Sequence, residues 1–222
     1  MLSTFKVLIS AALLGASLLL VACSESGPGK SAANTPSPTQ VPPAPVATAP
    51  AAPAAAARPA APVNSVPGAV EAAIAKGTGF AVGGSMMAAK VIYVLFDPQC
   101  PHCGHLWETA KPLSSQIRLV WMPVAFMGAK SAPQGAAILA SADPVATMNA
   151  HEARLAEGKG GIEPPANPDP ALIAKIQINT ALWHELRGQS VPFLVFKDPA
   201  SGKSSTLEGA LETDQLRKLM QL

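Results

Sequence analysis

The chain has 222 residues, 23 of them proline, with 16 Lys and Arg against 14 Asp and Glu. Residues 24–67 contain 13 alanines, 11 prolines and only three charged side chains in 44 positions. Such a segment buries too little apolar surface to offset the entropy of ordering it, which predicts an unfolded tether. The other 155 residues, 68–222, are enough for one domain. Its 13 basic and 13 acidic side chains cancel, which argues against nucleic acid or an anionic membrane surface as a main partner.

A charge-free run over residues 7–22 ends at Cys23. Its length suits the core of a signal peptide better than a membrane span. Leu20-Val21-Ala22-Cys23 resembles the lipobox of bacterial lipoproteins. The resemblance implies a signal peptide over residues 1–22, a lipid on Cys23, and residues 23–67 as the tether. The alternative is an uncleaved anchor with an incidental cysteine, and either arrangement exports the domain.

Lipidation of Cys23 would leave two cysteines for the domain, Cys100 and Cys103. They follow residues 90–96, a run of β-branched and aromatic residues that predicts a buried strand. Pro101 suits the first turn of a helix, where its missing N–H costs nothing. The Cys-Pro-His-Cys motif is therefore expected at a strand-to-helix junction.

This position gives the two thiols different expected roles. Unpaired N–H groups and the helix dipole stabilise a thiolate at Cys100, which makes it the predicted nucleophile. Cys103 lies one helical turn later on the same face, so it can resolve a mixed disulfide. His102 can add positive charge beside the thiolate, which would make the disulfide more oxidising.

Three other interpretations of the Cys-Pro-His-Cys motif remain open. Haem attachment needs a histidine directly after the second cysteine, and Gly104 stands there. A zinc site would need ligands from His105, His151 or His184, because no second cysteine pair exists. A static disulfide is also possible, although structural bridges usually close longer loops.

The rest of the domain is predicted to contain further strands and helices. The pattern predicts a second core strand, a helical insertion with an exposed loop, a strand, its hairpin partner and a closing helix. These elements fall at residues 117–124, 131–187, 192–196, 204–208 and 212–222. The fold class is α/β, and the insertion lies between the second core strand and the strand that opens at Pro192.

This order resembles the thioredoxin fold with the helical insertion of periplasmic Dsb proteins. The likeness covers most of residues 90–222 and is strongest to the DsbC/DsbG family, through Phe96-Asp97-Pro98-Gln99-Cys100-Pro101-His102-Cys103 and the run over residues 136–144. Val191-Pro192 matches the position of the family's cis-proline. The resemblance implies a thiol-disulfide oxidoreductase that needs no cofactor beyond a Cys100–Cys103 disulfide.

The resemblance also implies exported client proteins with cysteines, a membrane redox partner, and a periplasmic location. Ser24, in place of Asp after the lipid site, favours an anchor in the outer membrane. The family's N-terminal dimerisation domain has no counterpart here, so a monomer is expected. His102 and Val191 look more like the oxidase DsbA than DsbG. The alternative function is a tethered chaperone-like or metal-handling module, and a cleft including Phe80, Trp107 and Met127 would serve either function.

Overall fold

A computed structural model describes residues 62–84 and 90–222. The strands are β1 (Asn64–Ser65), β2 (Phe80–Val82), β3 (Val91–Phe96), β4 (Arg118–Pro123), β5 (Phe193–Lys197) and β6 (Ser204–Glu208). The helices are α1 (Ala69–Lys76), α2 (Pro101–Ala110), α3 (Ser131–Ala140), α4 (Pro144–Ala156), α5 (Pro170–Glu185) and α6 (Thr213–Leu219). None of these helices is long and apolar enough to cross a membrane.

The strands form one sheet in the order β1-β6-β5-β3-β4-β2. β3 lies inside it, parallel to β4 and antiparallel to β5. Four of the six β3 residues are buried and the other two are half-buried, as expected for a β-branched strand with neighbours on both edges. The active-site loop therefore follows the carboxyl end of a strand in the interior of the sheet.

Aromatic side chains fill the core beneath that loop. The Trp121 ring meets Trp107 and Phe96 edge to face, with ring centroids 5.1 and 5.5 Å apart. Phe80 meets Trp107 in the same way at 6.2 Å. These rings join β2, β3, β4 and the second half of α2, so burial of large apolar surfaces holds α2 against the sheet.

The predicted α/β class and the insertion between β4 and β5 are confirmed. The insertion comprises α3, α4 and α5; α3 packs against both of the others, and α5 packs against β4 and α1. α2 packs against α4 and α6. The insertion is therefore part of the domain and contributes the helix that faces α2.

Two boundaries differ from the sequence prediction. Residues 62–67, assigned to the tether, include β1, where Asn64 and Ser65 pair with Thr206 and Ser205 of β6. The sequence predicts no strand over residues 68–89, but β2 lies there, at the opposite edge of the sheet. Both are edge strands held by backbone hydrogen bonds, which composition alone does not reveal. The predicted signal peptide, Cys23 and the rest of the tether lie outside the described residues.

Candidate active site

Cys100 lies at the junction between β3 and α2, as predicted. It is the N-cap residue of α2, with φ −95° and ψ 111°, and Pro101 opens the helix. The Cys100 carbonyl accepts hydrogen bonds from the N–H groups of Cys103 at 3.0 Å and Gly104 at 3.4 Å. Cys100 is 3% exposed, Cys103 is fully buried, and both are free thiols. The loop thus presents one thiol at the helix terminus and one directly beneath it.

The surroundings separate the acidities of the two thiols. A hydrogen bond from the Cys103 side chain lowers the pKa of Cys100, helped by the backbone N–H groups of Cys103 and His102 and opposed by burial. Burial raises the pKa of Cys103 well above its ordinary value, and the hydrogen bond to Cys100 adds to this. Cys100 is therefore the thiol that ionises first. Hydrogen bonds stabilise its thiolate, whereas burial dominates at Cys103 and disfavours the Cys103 thiolate.

His102 contributes differently from the sequence expectation. Its backbone N–H stabilises the Cys100 thiolate, while its side chain is exposed at the start of α2. Pro101 beside it is exposed as well. The added effect of the imidazole charge stays a prediction.

The loop before β5 contacts the same thiol. The Val191-Pro192 peptide bond is cis, which confirms the isomer predicted from the sequence. The Cys100 thiol donates to the Val191 carbonyl oxygen at 3.5 Å between Sγ and O, and both Val191 and Pro192 are buried. Residues 91 positions apart in the chain therefore meet at the nucleophile.

Asp97 anchors the loop that leads to Cys100, a role the sequence analysis missed. Its buried carboxylate accepts hydrogen bonds from Gln99 N at 2.9 Å and Ser131 Oγ at 2.6 Å on one oxygen. The other oxygen accepts from Phe126 N at 2.9 Å and Met127 N at 3.0 Å. One side chain thus joins the active-site loop to α3 and to the segment after β4.

His151 of α4 holds the next residue of the loop. The Ile162 N–H donates to His151 Nδ1 at 3.2 Å, so Nε2 carries the proton and donates to the Pro98 carbonyl at 2.6 Å. Burial lowers the pKa of His151, which favours this neutral form. His151 thus positions the loop and is not a metal ligand.

Glu152 is another buried polar residue near the motif that the sequence did not reveal. It is 5% exposed and lines a cleft of about 450 Å³ between α2 and α4, together with Pro101 and Gly104. Burial raises its pKa to about 8; the negative charges of Cys100 and Glu108 add to the shift and Lys111 opposes it. Nothing in an amphipathic helix pattern distinguishes such a glutamate from a solvated one.

The other residues singled out in the sequence do not form a common site with Cys100. Phe80 and Trp107 are core, whereas Met127 is 49% exposed, so the three do not line one cleft. His105 pairs with Glu212 at 2.8 Å, and His184 lies on α5. Among residues 62–84 and 90–222, no group of three or more His, Cys, Asp and Glu could hold a metal ion.

Comparison with known proteins links this geometry to thiol chemistry. The chain is 30% identical over 135 residues to the thiol:disulfide interchange protein DsbG of Pseudomonas aeruginosa, covering 60% of this chain and 52% of that protein. It is 31% identical over 130 residues to DsbG of Escherichia coli, covering 58% and 50%. The chain thus spans about half the length of the curated relatives it matches. No protein-family model matches it.

The fold is shared with a solved structure. A periplasmic thioredoxin-like protein from Salmonella enterica serovar Typhimurium superposes with a TM-score of 0.55 at 16% identity, covering 69% of this chain and 94% of that one. The likeness confirms the predicted thioredoxin fold. The sequence matches confirm the predicted similarity to DsbG.

Proposed function

We propose that the protein is an exported thiol-disulfide oxidoreductase that exchanges disulfides with cysteine-containing client proteins. The observation that carries the proposal is the acidic Cys100 thiol at the start of α2, next to Cys103 and the Val191 carbonyl. A thiol of lowered pKa beside a second thiol is the arrangement that thiol-disulfide exchange requires. The matched DsbG proteins carry this activity in their names.

Exchange proceeds in two balanced steps. The Cys100 thiolate attacks a client disulfide, forming a mixed disulfide and releasing one client sulfur as a thiolate, which takes up a proton. Cys103 then loses its proton and attacks Cys100 Sγ, which releases the second client sulfur. The client gains two electrons and the protein holds the Cys100–Cys103 disulfide. The reverse sequence oxidises a client dithiol.

Protein clients suit the surface around the thiol. Phe126 and Met127 are 44% and 49% exposed, and Asp97 fixes their backbone N–H groups. Apolar side chains held on a rigid loop give an unfolded or flexible client something to bind while its cysteine reaches Cys100. This supports protein thiols as the substrates rather than small thiols.

The thiolate stabilisation at Cys100 supports a fairly oxidising couple. Interactions that favour the thiolate favour the reduced protein, and therefore raise the reduction potential of the disulfide. We expect weak isomerase activity from a monomer of this chain. A potential near that of thioredoxin, about −270 mV, would contradict the proposed direction.

The proposed location is the periplasm, with the protein held to a bacterial membrane, preferably the outer membrane, by a lipid on Cys23. The lipobox and the composition of the tether support this arrangement. Replacing Cys23 with Ala should leave an unprocessed precursor without lipid. Unchanged processing and unchanged membrane fractionation of the Cys23→Ala protein would contradict it. A membrane partner that restores the working redox state is part of the same proposal.

The activity is tested with a client protein containing a single disulfide. Cys100→Ala should abolish exchange, because the attacking sulfur is lost. Cys103→Ala should accumulate a mixed disulfide between Cys100 and the client, visible on a non-reducing gel and reversed by dithiothreitol. Cys23→Ala, expressed without its first 22 residues, serves as the control and should exchange like the wild type. Exchange that survives Cys100→Ala would overturn the proposal.

A further inference from the structure

The cleft between α2 and α4 contains a buried acid with an unsatisfied oxygen. Glu152 Oε1 is buried and has no hydrogen-bond partner among the described residues. Leaving such an atom unpaired costs free energy that a donor in the cleft would recover. The unsatisfied carboxyl oxygen therefore points to a ligand that donates hydrogen bonds.

Gly104 allows Glu152 to approach the backbone of α2. A Cβ atom on Gly104 would lie 2.2 Å from Glu152 Oε2, inside van der Waals contact. The carboxyl group consequently packs against the turn of α2 that carries Cys103, and Pro101 lines the same cleft directly after Cys100. A side chain bound there would belong to a molecule already positioned at the nucleophile.

The basic side chains around the cleft form no ion pair with Glu152 among the described residues. Glu108 pairs with Lys111 at 2.6 Å, and His105 pairs with Glu212 at 2.8 Å. His105, which lines the cleft, and Lys111 are thus engaged with acids other than Glu152. A cation entering the cleft would meet a carboxyl group and would favour its ionised form.

Most of the remaining lining is apolar and would fit the aliphatic stem of a side chain. It consists of Pro101, Ala153, Leu155 and Ala156, with Asn149, whose Oδ1 accepts from Trp107 Nε1, and the volume of about 450 Å³ accommodates one long side chain. Lysine and arginine combine an apolar stem with a cationic head that donates several hydrogen bonds. Both requirements of the cleft, apolar walls and a donor for Glu152, are met by such a side chain.

We propose that this cleft binds the basic side chain of a client protein, a lysine or arginine close to the client's reactive cysteine, with Glu152 as its partner. The inference rests on the proposed function for the identity of the client. It names a substrate preference, namely basic residues near the exchanged cysteine.

The test separates binding from redox chemistry by using a peptide in which serine replaces the cysteine. Two versions are compared by calorimetry on the wild-type protein, one with arginine beside the serine and one with citrulline, which has the same shape and no charge. We expect the arginine peptide to bind about ten-fold more tightly. Equal affinities, or no measurable binding of the arginine peptide, would overturn the proposal.

Protein variants then test whether the preference for the arginine peptide depends on Glu152. Glu152→Gln should reduce the preference for arginine to less than about two-fold. The control Glu157→Gln, on an exposed residue just after α4, should keep the wild-type preference. If Glu152→Gln does not fold, Gly104→Ala makes the same test, because its methyl group must displace the carboxyl. A preference that persists when Glu152 is removed or displaced would contradict the assignment.

Exchange measured with the cysteine-containing peptides distinguishes this inference from the proposed function. If neither peptide exchanges but arginine binds through Glu152, the proposed function fails and the cleft is a binding site for basic side chains. If both exchange at equal rates and bind equally, the function stands and the cleft proposal fails.

Discussion

The active-site loop is held by two regions of the molecule that do different things. The strand core supplies Val191, whose carbonyl oxygen contacts the Cys100 sulfur itself. The helical insertion never touches that sulfur through a hydrogen bond among the described residues, but Ser131 and His151 bind the loop residues before it. The start of α2, with the Val191 contact, therefore shapes the reactivity of the thiol, and the insertion fixes the position of the loop before it.

This division predicts separate consequences for mutations. Changes in the polar contacts from the insertion should lower the stability of the domain while leaving the acidity of Cys100 largely in place. Changes at His102, at the start of α2, should alter the thiol chemistry at little cost in stability, because this side chain is exposed. Each prediction below tests one side of this contrast.

The largest effect is expected at Asp97. Asp97→Ala removes the acceptor of four hydrogen bonds and leaves buried donors unpaired. The free energy of unfolding should fall by about 3–5 kcal/mol, measured by urea denaturation. Asp198→Ala is the control, because Asp198 accepts comparable hydrogen bonds in an exposed hairpin turn, and its loss should lower the free energy of unfolding far less. Similar losses for both variants would contradict the role of Asp97.

The next effect concerns Glu152 and pH. The folded protein holds a proton on Glu152 up to a pKa of about 8, whereas the unfolded chain releases it near 4.5. The wild type should therefore lose stability as the pH rises through this window, by up to about 1.4 kcal/mol per pH unit. Glu152→Gln, which stays neutral, should lack this loss in urea denaturation at about pH 5 and about pH 8. Parallel curves for wild type and Glu152→Gln would refute the prediction, and Glu157→Gln should follow the wild type.

His151 should act in the opposite direction. Its folded pKa lies below the ordinary 6.5, so its stabilising contribution is present above that pH and is lost on acidification below it. His151→Gln should cost about 1–3 kcal/mol at neutral pH, and the difference from wild type should narrow as the pH falls. Thermal denaturation across this range measures it. His184→Gln, on an exposed residue of α5, should show neither effect.

The smallest effect is expected at His102, on the thiol side of the contrast. His102→Tyr removes the imidazole but keeps the backbone N–H that stabilises the Cys100 thiolate. The reduction potential should fall by about 30 mV or less, equivalent to at most about 1.4 kcal/mol, in glutathione redox titrations. A rise in potential would show that the imidazole charge does not favour the thiolate.

The same contrast explains what the sequence predicted. The features that set the reactivity of Cys100 are local in the chain. A β-branched strand, the start of a helix and two cysteines one turn apart predict the nucleophile from the sequence alone. The cis Val191-Pro192 bond followed from resemblance rather than from local chemistry. The fold confirms the cis bond and the position of Cys100 at the start of α2, and the role of Cys100 as nucleophile stays a prediction.

The residues that hold the active-site loop in position could not be predicted in this way. Asp97 and His151 acquire their roles from burial and from hydrogen-bond partners distant in the chain, such as Ser131 and Pro98. Glu152 acquires its raised pKa from burial. In a sequence, residues of these types are usually expected to be exposed to solvent. Strands β1 and β2 were not predicted either, because the pairing of edge strands uses backbone N–H and C=O groups, which do not distinguish one residue type from another.

The central claim is that Cys100, and not Cys103, is the attacking thiol. Its direct test is the rate of alkylation of each cysteine in the reduced protein as a function of pH, followed by mass spectrometry. Cys100 should react first, with a pKa below the ~8.5 of a free cysteine, and Cys103 should react only at much higher pH. Faster modification of Cys103, or a Cys100 pKa at or above that of a free cysteine, would contradict the account.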